Sequence, residues 1–158
     1  MTGREAEPAT APLGALAEFY RAFNGRDIAL MEQNWLPSAE AVMSNPLGGM
    51  MRGWTAIRGV YQRLFGGDAR VTVEFFDYTL HEEGDVFWAI GRERGALEQD
   101  GQADLALLIR TSRLFRRDGD GRWRQAHHHG SIEDPKMLAE YQRRLEVSRK
   151  GSESRGLR

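Results

Sequence analysis

RTSRLFRRDGDGRWRQAHHHGS, residues 110–131, places two alternating segments on either side of Asp118-Gly119-Asp120-Gly121. Alternation with a period of two is the pattern of a strand, and an Asp-Gly turn between two such runs marks an antiparallel hairpin. The pattern extends upstream. Residues 70–80, 85–97, 103–117 and 121–130 read as four strands separated by EEGD, EQDG and DGDG, which is a meander.

Before Arg70 the period becomes helical. Pro12 suits a first helical turn, and Leu13, Leu16, Ala17, Tyr20 and Phe23 recur on one stripe until Gly25. Asp27 is a candidate N-cap for a short helix carrying Ile28, Met31 and Trp35, ended by Pro37. A brief strand at 41–44 leads into NPLGGMMRG (45–53), where one Pro and three Gly are read as excluding regular structure. Trp54, Ile57, Tyr61 and Leu64 then form a helical stripe closed by Gly66-Gly67. After the meander, Asp134-Pro135 caps a last helix built on Met137, Leu138, Tyr141 and Leu145. Helices followed by strands predict an α+β domain, with helices packed against one face of an antiparallel sheet.

The 158 residues suffice for one core, and 41% hydrophobic with 28% charged residues matches a folded water-soluble chain. The expected division is a disordered N-terminus at 1–11, one domain at 12–147 and a disordered basic tail at 148–158. Lys and Arg total 22 against 23 acidic residues, so no overall field favours nucleic acid or an anionic membrane. Zero Cys excludes disulfides, thiolate nucleophiles and sulfur metal sites. Arg4, Glu5 and Glu7 interrupt any apolar leader, and no run approaches the ~20 residues of a membrane span, so a cytoplasmic location is expected.

The order of elements, with NPLGGMMRGWTAIRGVY (45–61) and the 110–131 hairpin, resembles the nuclear transport factor 2 superfamily and, within it, the SnoaL-like proteins. The resemblance covers roughly residues 13–132. It implies a cystatin-like α+β roll: a cone-shaped curved sheet wrapped around the N-terminal helices, with a pocket at its open end, an extra C-terminal helix, and pairing of two copies through the sheet. Fold alone does not name a function, because this one hosts isomerases, dehydratases, cyclases and non-catalytic hubs.

Compared with ketosteroid isomerase, the catalytic Asp position matches Asn45, an amide without useful basicity. The oxyanion Tyr matches Phe19, with Tyr20 its neighbour on another side of the helix, and the protonated Asp matches Arg113. Tyr61 alone matches a supporting tyrosine. The association domain of calcium/calmodulin-dependent kinase is matched by Arg113, Trp123, His127, His129 and Ser131. Its arginine-lined pocket maps to Arg92 and Arg113, with a third arginine replaced by Gly130, which implies a pocket preferring anions.

Guanidinium at a pocket-facing strand position implies a bound anion or an internal partner, for which Glu74, Asp77 and Glu93 are available. Successive strand residues face opposite ways, so His128 is opposed to His127 and His129; both resemblances put Ala126 and His128 inside unless a bulge near Gly130 shifts the register. His128 is thus the candidate for proton transfer, and Arg113 for holding developing charge. Asn45 is either a substrate-orienting amide or a turn residue before Pro46, and Tyr61 either a pocket hydroxyl or a core residue. Arg92, Tyr20 and Trp88 complete the candidate binding wall. Two histidines on one face are too few for a metal site, and no phosphate-loop glycine pattern is present, so no metal or cofactor is expected. These residues predict a cofactor-independent isomerase, dehydratase or cyclase acting on an enolisable or carboxylate-bearing small molecule. The alternative is a dimeric binding or assembly module without turnover.

Overall fold

The computed structural model describes residues 1–155, with side chains as far as Glu146. Its elements are α1 (Pro12–Gly25), α2 (Ile28–Asn34), β1 (Val42–Ser44), β2 (Met50–Arg52), α3 (Trp54–Gly66), β3 (Arg70–Glu83), β4 (Val86–Glu98), β5 (Leu105–Arg117), β6 (Trp123–Ser131) and α4 (Pro135–Arg155). The four meander strands and the helices around them follow the periodicities read above. Asp27 caps α2 by accepting from the Leu30 N–H at 2.9 Å, and Asp134 accepts from Lys136 N–H at 2.8 Å at the start of α4. No described helix is long and apolar enough to cross a membrane.

The strands form one curved sheet in the order β2-β1-β6-β5-β4-β3. It is mixed rather than purely antiparallel, because β1 lies parallel to β6, with Val42 opposite His127. The expectation that residues 45–53 hold no regular structure is corrected at Met50–Arg52. Gly48 and Gly49 adopt φ of 101° and 89°, which lets the chain reverse tightly and return as β2 against β1. The glycines make the hairpin rather than prevent it.

Two features bend the sheet. Asp77 and Tyr78 form a bulge on β3 opposite Gly91, and Ala126 bulges on β6 where the pairing skips from Gln125 to His127. Both β4 glycines sit where the strands close up: a Cβ on Gly91 would lie 2.5 Å from the Tyr78 Cβ, and one on Gly95 1.9 Å from the Thr72 carbonyl oxygen. The concave face wraps α1, whose Leu16, Phe19 and Tyr20 are fully or almost fully buried, while Phe87 stacks on Phe115 and meets Trp123 edge-on in the core.

The first residues run beside β3. The Met1 ammonium donates to the Phe75 carbonyl at 2.7 Å and the Phe75 N–H to the Met1 carbonyl at 2.8 Å, while the Arg21 Nε donates to Gly3 O at 2.9 Å. These bonds satisfy backbone groups along β3 and give residues 1–11 a defined course. At the other end α4 continues as helix to Arg155, and the remainder of the expected tail, 156–158, lies outside the described residues. Helix α1 ends with Arg26, not Gly25, in the left-handed conformation at φ 55°; its guanidinium donates to the Gly67 and Ala69 carbonyls and so holds it there.

Candidate functional site

The open end of the cone holds a cavity of about 480 Å³. Apolar side chains from α1 (Phe19, Phe23), α3 (Val60, Leu64) and the sheet (Val71, Val73, Ile109) supply most of its wall. Helix α4 lies across the mouth with Tyr141 and Leu145, and two bonds fasten it: Gln142 Nε2 donates to Leu47 O at 2.7 Å, and Arg144 Nη1 to Ala103 O at 2.6 Å. A mostly apolar hollow with a few convergent polar groups is the usual form of a small-molecule site.

Those polar groups include Asn45, Tyr61, Glu93, Arg113 and His128. Arg113 is 2% exposed and almost fully engaged by protein. Its Nη2 donates to Glu93 Oε1 at 2.7 Å, Nη1 to Gln125 Oε1 at 2.7 Å and Nε to the Tyr20 hydroxyl at 3.2 Å, while its Cζ lies 3.4 Å from the centroid of the Phe19 ring. The Tyr20 hydroxyl in turn donates to the same Glu93 oxygen at 2.7 Å. Burial opposes the guanidinium's charge, but Tyr20 and Glu93 outweigh it and raise the pKa above its ordinary value, so the group stays charged. Burial likewise pushes the Tyr20 and Tyr61 hydroxyls above the usual phenol range, leaving both as neutral donors.

His128 is 5% exposed, and its Nδ1 is buried without a protein hydrogen-bond partner among the described residues. Burial first, and then the Arg113 charge, hold its pKa well below the ordinary histidine value. It is a neutral imidazole with an unused ring nitrogen, packed at 6.5 Å between centroids against Phe19. His127 and His129 point to the other face, where His127 Nδ1 donates to Val42 O at 3.1 Å. Among the described residues no group of three metal-ligating side chains converges.

The geometry separates the expected site residues. Arg113, His128, Asn45 and Tyr61 line the cavity together. Asn45 also serves as a turn residue, its Oδ1 accepting from Leu47 N–H at 2.7 Å, so both readings of it hold in the fold. Tyr20 lies beneath the cavity as a support for Glu93 and Arg113 instead of lining it. Arg92 and Trp88 are corrections. Both occupy even positions of β4, whose odd positions Phe87, Ala89, Glu93 and Leu97 face inward; Arg92 pairs with Asp77 on the outside, and Trp88 stacks on His81. The Ala126 bulge also turns Gln125, not Ala126, inward beside His128.

Glu93, offered by the sequence only as one of three possible internal partners for an arginine, lines the cavity, and Gln125, which holds Arg113 from behind, was not foreseen. Glu93 had a legible signal: Arg92 and Arg94 share one strand face with an interval of two, which suits solvent and turns the residue between them inward. Gln125 had none, since its orientation follows from the bulge.

The expected anion-preferring pair of Arg92 and Arg113 is therefore replaced by one arginine with an internal carboxylate.

The sequence matches the family model of the SnoaL-like domain over residues 13–135. Comparison with the curated proteins gives no match. Among solved structures, a candidate calcium/calmodulin-dependent protein kinase type II association domain from Thiobacillus denitrificans superposes with a TM-score of 0.66 at 24% identity, covering 78% of this chain and 96% of that one. A candidate dehydratase of the NTF2-like family from Streptomyces avermitilis gives 0.67 at 20% identity, over 75% and 90% of the two chains. A candidate ketosteroid isomerase from Shewanella frigidimarina gives 0.61 at 17% identity, over 79% and 96%. At these identities the likeness is one of fold.

Proposed function

The chain belongs to the SnoaL-like family of the nuclear transport factor 2-like superfamily, and from that premise we propose that it is a cofactor-independent acid/base enzyme, an isomerase, dehydratase or cyclase, acting on an enolisable small molecule. The observation that carries this reading is His128, a neutral imidazole in the wall of an otherwise mostly apolar cavity, whose buried Nδ1 has no hydrogen-bond partner among the described residues. A base must be unprotonated before it can accept a proton, and burial beside a fixed positive charge keeps it so. Arg113 stands opposite His128 in the sheet, held in place by Glu93, Gln125 and Tyr20 and with its charge balanced by Glu93, so its role is to polarise a substrate carbonyl and not to bind a full anion. Pre-oriented donors of that kind stabilise charge without reorganising during the reaction. Tyr61 and Asn45 orient the carbonyl, and His128 returns the proton to a second position of the substrate.

A second reading, a binding or assembly module without turnover, is favoured by the amide at Asn45, where the resembling isomerases carry a carboxylate base. Pairing of two copies through the outer sheet face, which exposes Ile90 and Leu108, belongs to both readings.

The test is deuterium incorporation from D2O into a panel of conjugated and β,γ-unsaturated ketones, followed by NMR for the wild type and His128→Gln. The enzyme reading expects exchange that falls by about 10²–10⁴-fold in the variant, the size of a positioned acid/base group. Ligand binding without exchange in the wild type would establish the second reading instead.

A further inference from the structure

We infer that Glu93 makes this cavity select uncharged ligands, and that its carboxylate is what keeps carboxylates out. The inference rests on the same cavity as the proposed function but not on any turnover there. An arginine at the floor of a small apolar hollow is ordinarily an anion receptor, since its planar fork binds a carboxylate through paired charge-assisted bonds. Here that role is already taken. Glu93 Oε1 meets Arg113 Nη2 at 2.7 Å with the two side chains 6% and 2% exposed, so the pair is closed against solvent and its net charge is zero.

The remaining contacts of Arg113 reinforce the closure. Nη1 and Nε are committed to Gln125 and Tyr20, and Phe19 covers the guanidinium face. A ligand carboxylate would therefore have to displace Glu93 or sit near it, and either course leaves a second anion in a desolvated space. The rest of the wall adds no buried cation: Arg63 and Glu146 are both exposed and opposite in sign, His128 is neutral, and Asn45 and Tyr61 are uncharged donors. Glu93 contributes a further preference. Both bonds to its carboxylate fall on Oε1, and among the described residues no protein group donates to Oε2, so a ligand hydroxyl or amide N–H finds an acceptor at the cavity floor. The class that fits is an uncharged molecule of modest size with an apolar body, a carbonyl acceptor and a hydroxyl donor.

The probes are 4-hydroxybenzamide and 4-hydroxybenzoate, nearly equal in shape and different in charge, titrated calorimetrically into the wild type and Glu93→Gln at pH 7. The expected result is that Glu93→Gln binds 4-hydroxybenzoate about tenfold or more tighter than the wild type does, with a much smaller change for the amide. A wild type that takes the benzoate as readily as the amide overturns the inference, as does a folded Glu93→Gln with no gain for the anion. Should Glu93→Gln be unfolded in buffer, the readout is recovery of its near-ultraviolet circular dichroism. Recovery with the benzoate but not the amide supports the inference, and no recovery overturns it. Glu93→Gln combined with Arg113→Gln carries neither charge and is expected to lose the anion preference. Because binding is read without turnover, failure here is separate from a failure of deuterium exchange at His128.

Discussion

Arg113 on β5 and His128 on β6 stand directly opposite one another in the antiparallel ladder, and both face the cavity. Opposed side chains in such a ladder have Cβ atoms about 4.5–5.5 Å apart, so the imidazole lies within the field of a buried cation. The permanent charge belongs to Arg113, and its neighbour adjusts by staying neutral.

This relationship sets a pH dependence. The folded-state pKa of His128 is lowered, so as pH falls the unfolded chain takes up the proton first, near the ordinary histidine value of about 6.5. The stabilisation from the neutral ring is complete above that pH and is lost as pH falls through it toward the folded value, with a slope of at most about 1.4 kcal/mol per pH unit for one group. Urea denaturation between pH 5 and 8 is expected to show this loss in the wild type and a shallower one in His128→Gln. A residue of the same sign persists from His127, whose pKa is also lowered, by burial first.

The Arg113–Glu93 pair is expected to behave as one unit. Removing either partner alone, as Arg113→Met or Glu93→Gln, leaves a buried charge without its counter-ion and costs about 3–5 kcal/mol. Arg113→Met combined with Glu93→Met removes both charges, and its cost is expected to fall well below the sum of the single changes. Equilibrium denaturation of the single and double variants measures the coupling, and simple additivity would contradict it.

Curvature of the sheet depends on close approach at Gly91. A methyl group there would lie 2.5 Å from the Tyr78 Cβ and 2.8 Å from its Cα, where backbone must move to admit it. Gly91→Ala is expected to destabilise by about 1–3 kcal/mol, readable as a lowered thermal midpoint. Gly84→Ala is a poor control because its φ of 59° is itself strained, whereas Gly119→Ala meets no atom within 4 Å and is expected to be nearly neutral.

On the convex face Arg92 pairs with Asp77 while about half exposed, which is a solvated ion pair. Arg92→Ala is expected to change stability by no more than about 1 kcal/mol and to leave the affinity of any cavity ligand unaltered. Calorimetric titration distinguishes this from a role inside the pocket.

The amino-acid sequence by itself determined the kinds and order of elements, because period, caps and turns are carried by residues a few places apart. Asp27, Pro12, Asp134 and the Asp-Gly turns could be read without knowing what they pack against. The resemblance extended this to the roll and its pocket, and it correctly directed Arg113 and His128 to one cavity. Tertiary structure decided which face of the first half of β4 turned inward, for Trp88 and Ile90 on one side and Phe87 and Ala89 on the other are equally apolar in sequence, and only the Arg92 and Arg94 pair further along marks the outer face. It also decided the parallel placement of β1 beside β6 and the inward turn of Gln125. The closure of Arg113 by Glu93 joins strands 20 residues apart in the chain, and only their pairing brings the two charges to 2.7 Å. A side chain's local sequence sets its chemical type, but whether its charge is free for a ligand depends on partners delivered by the fold.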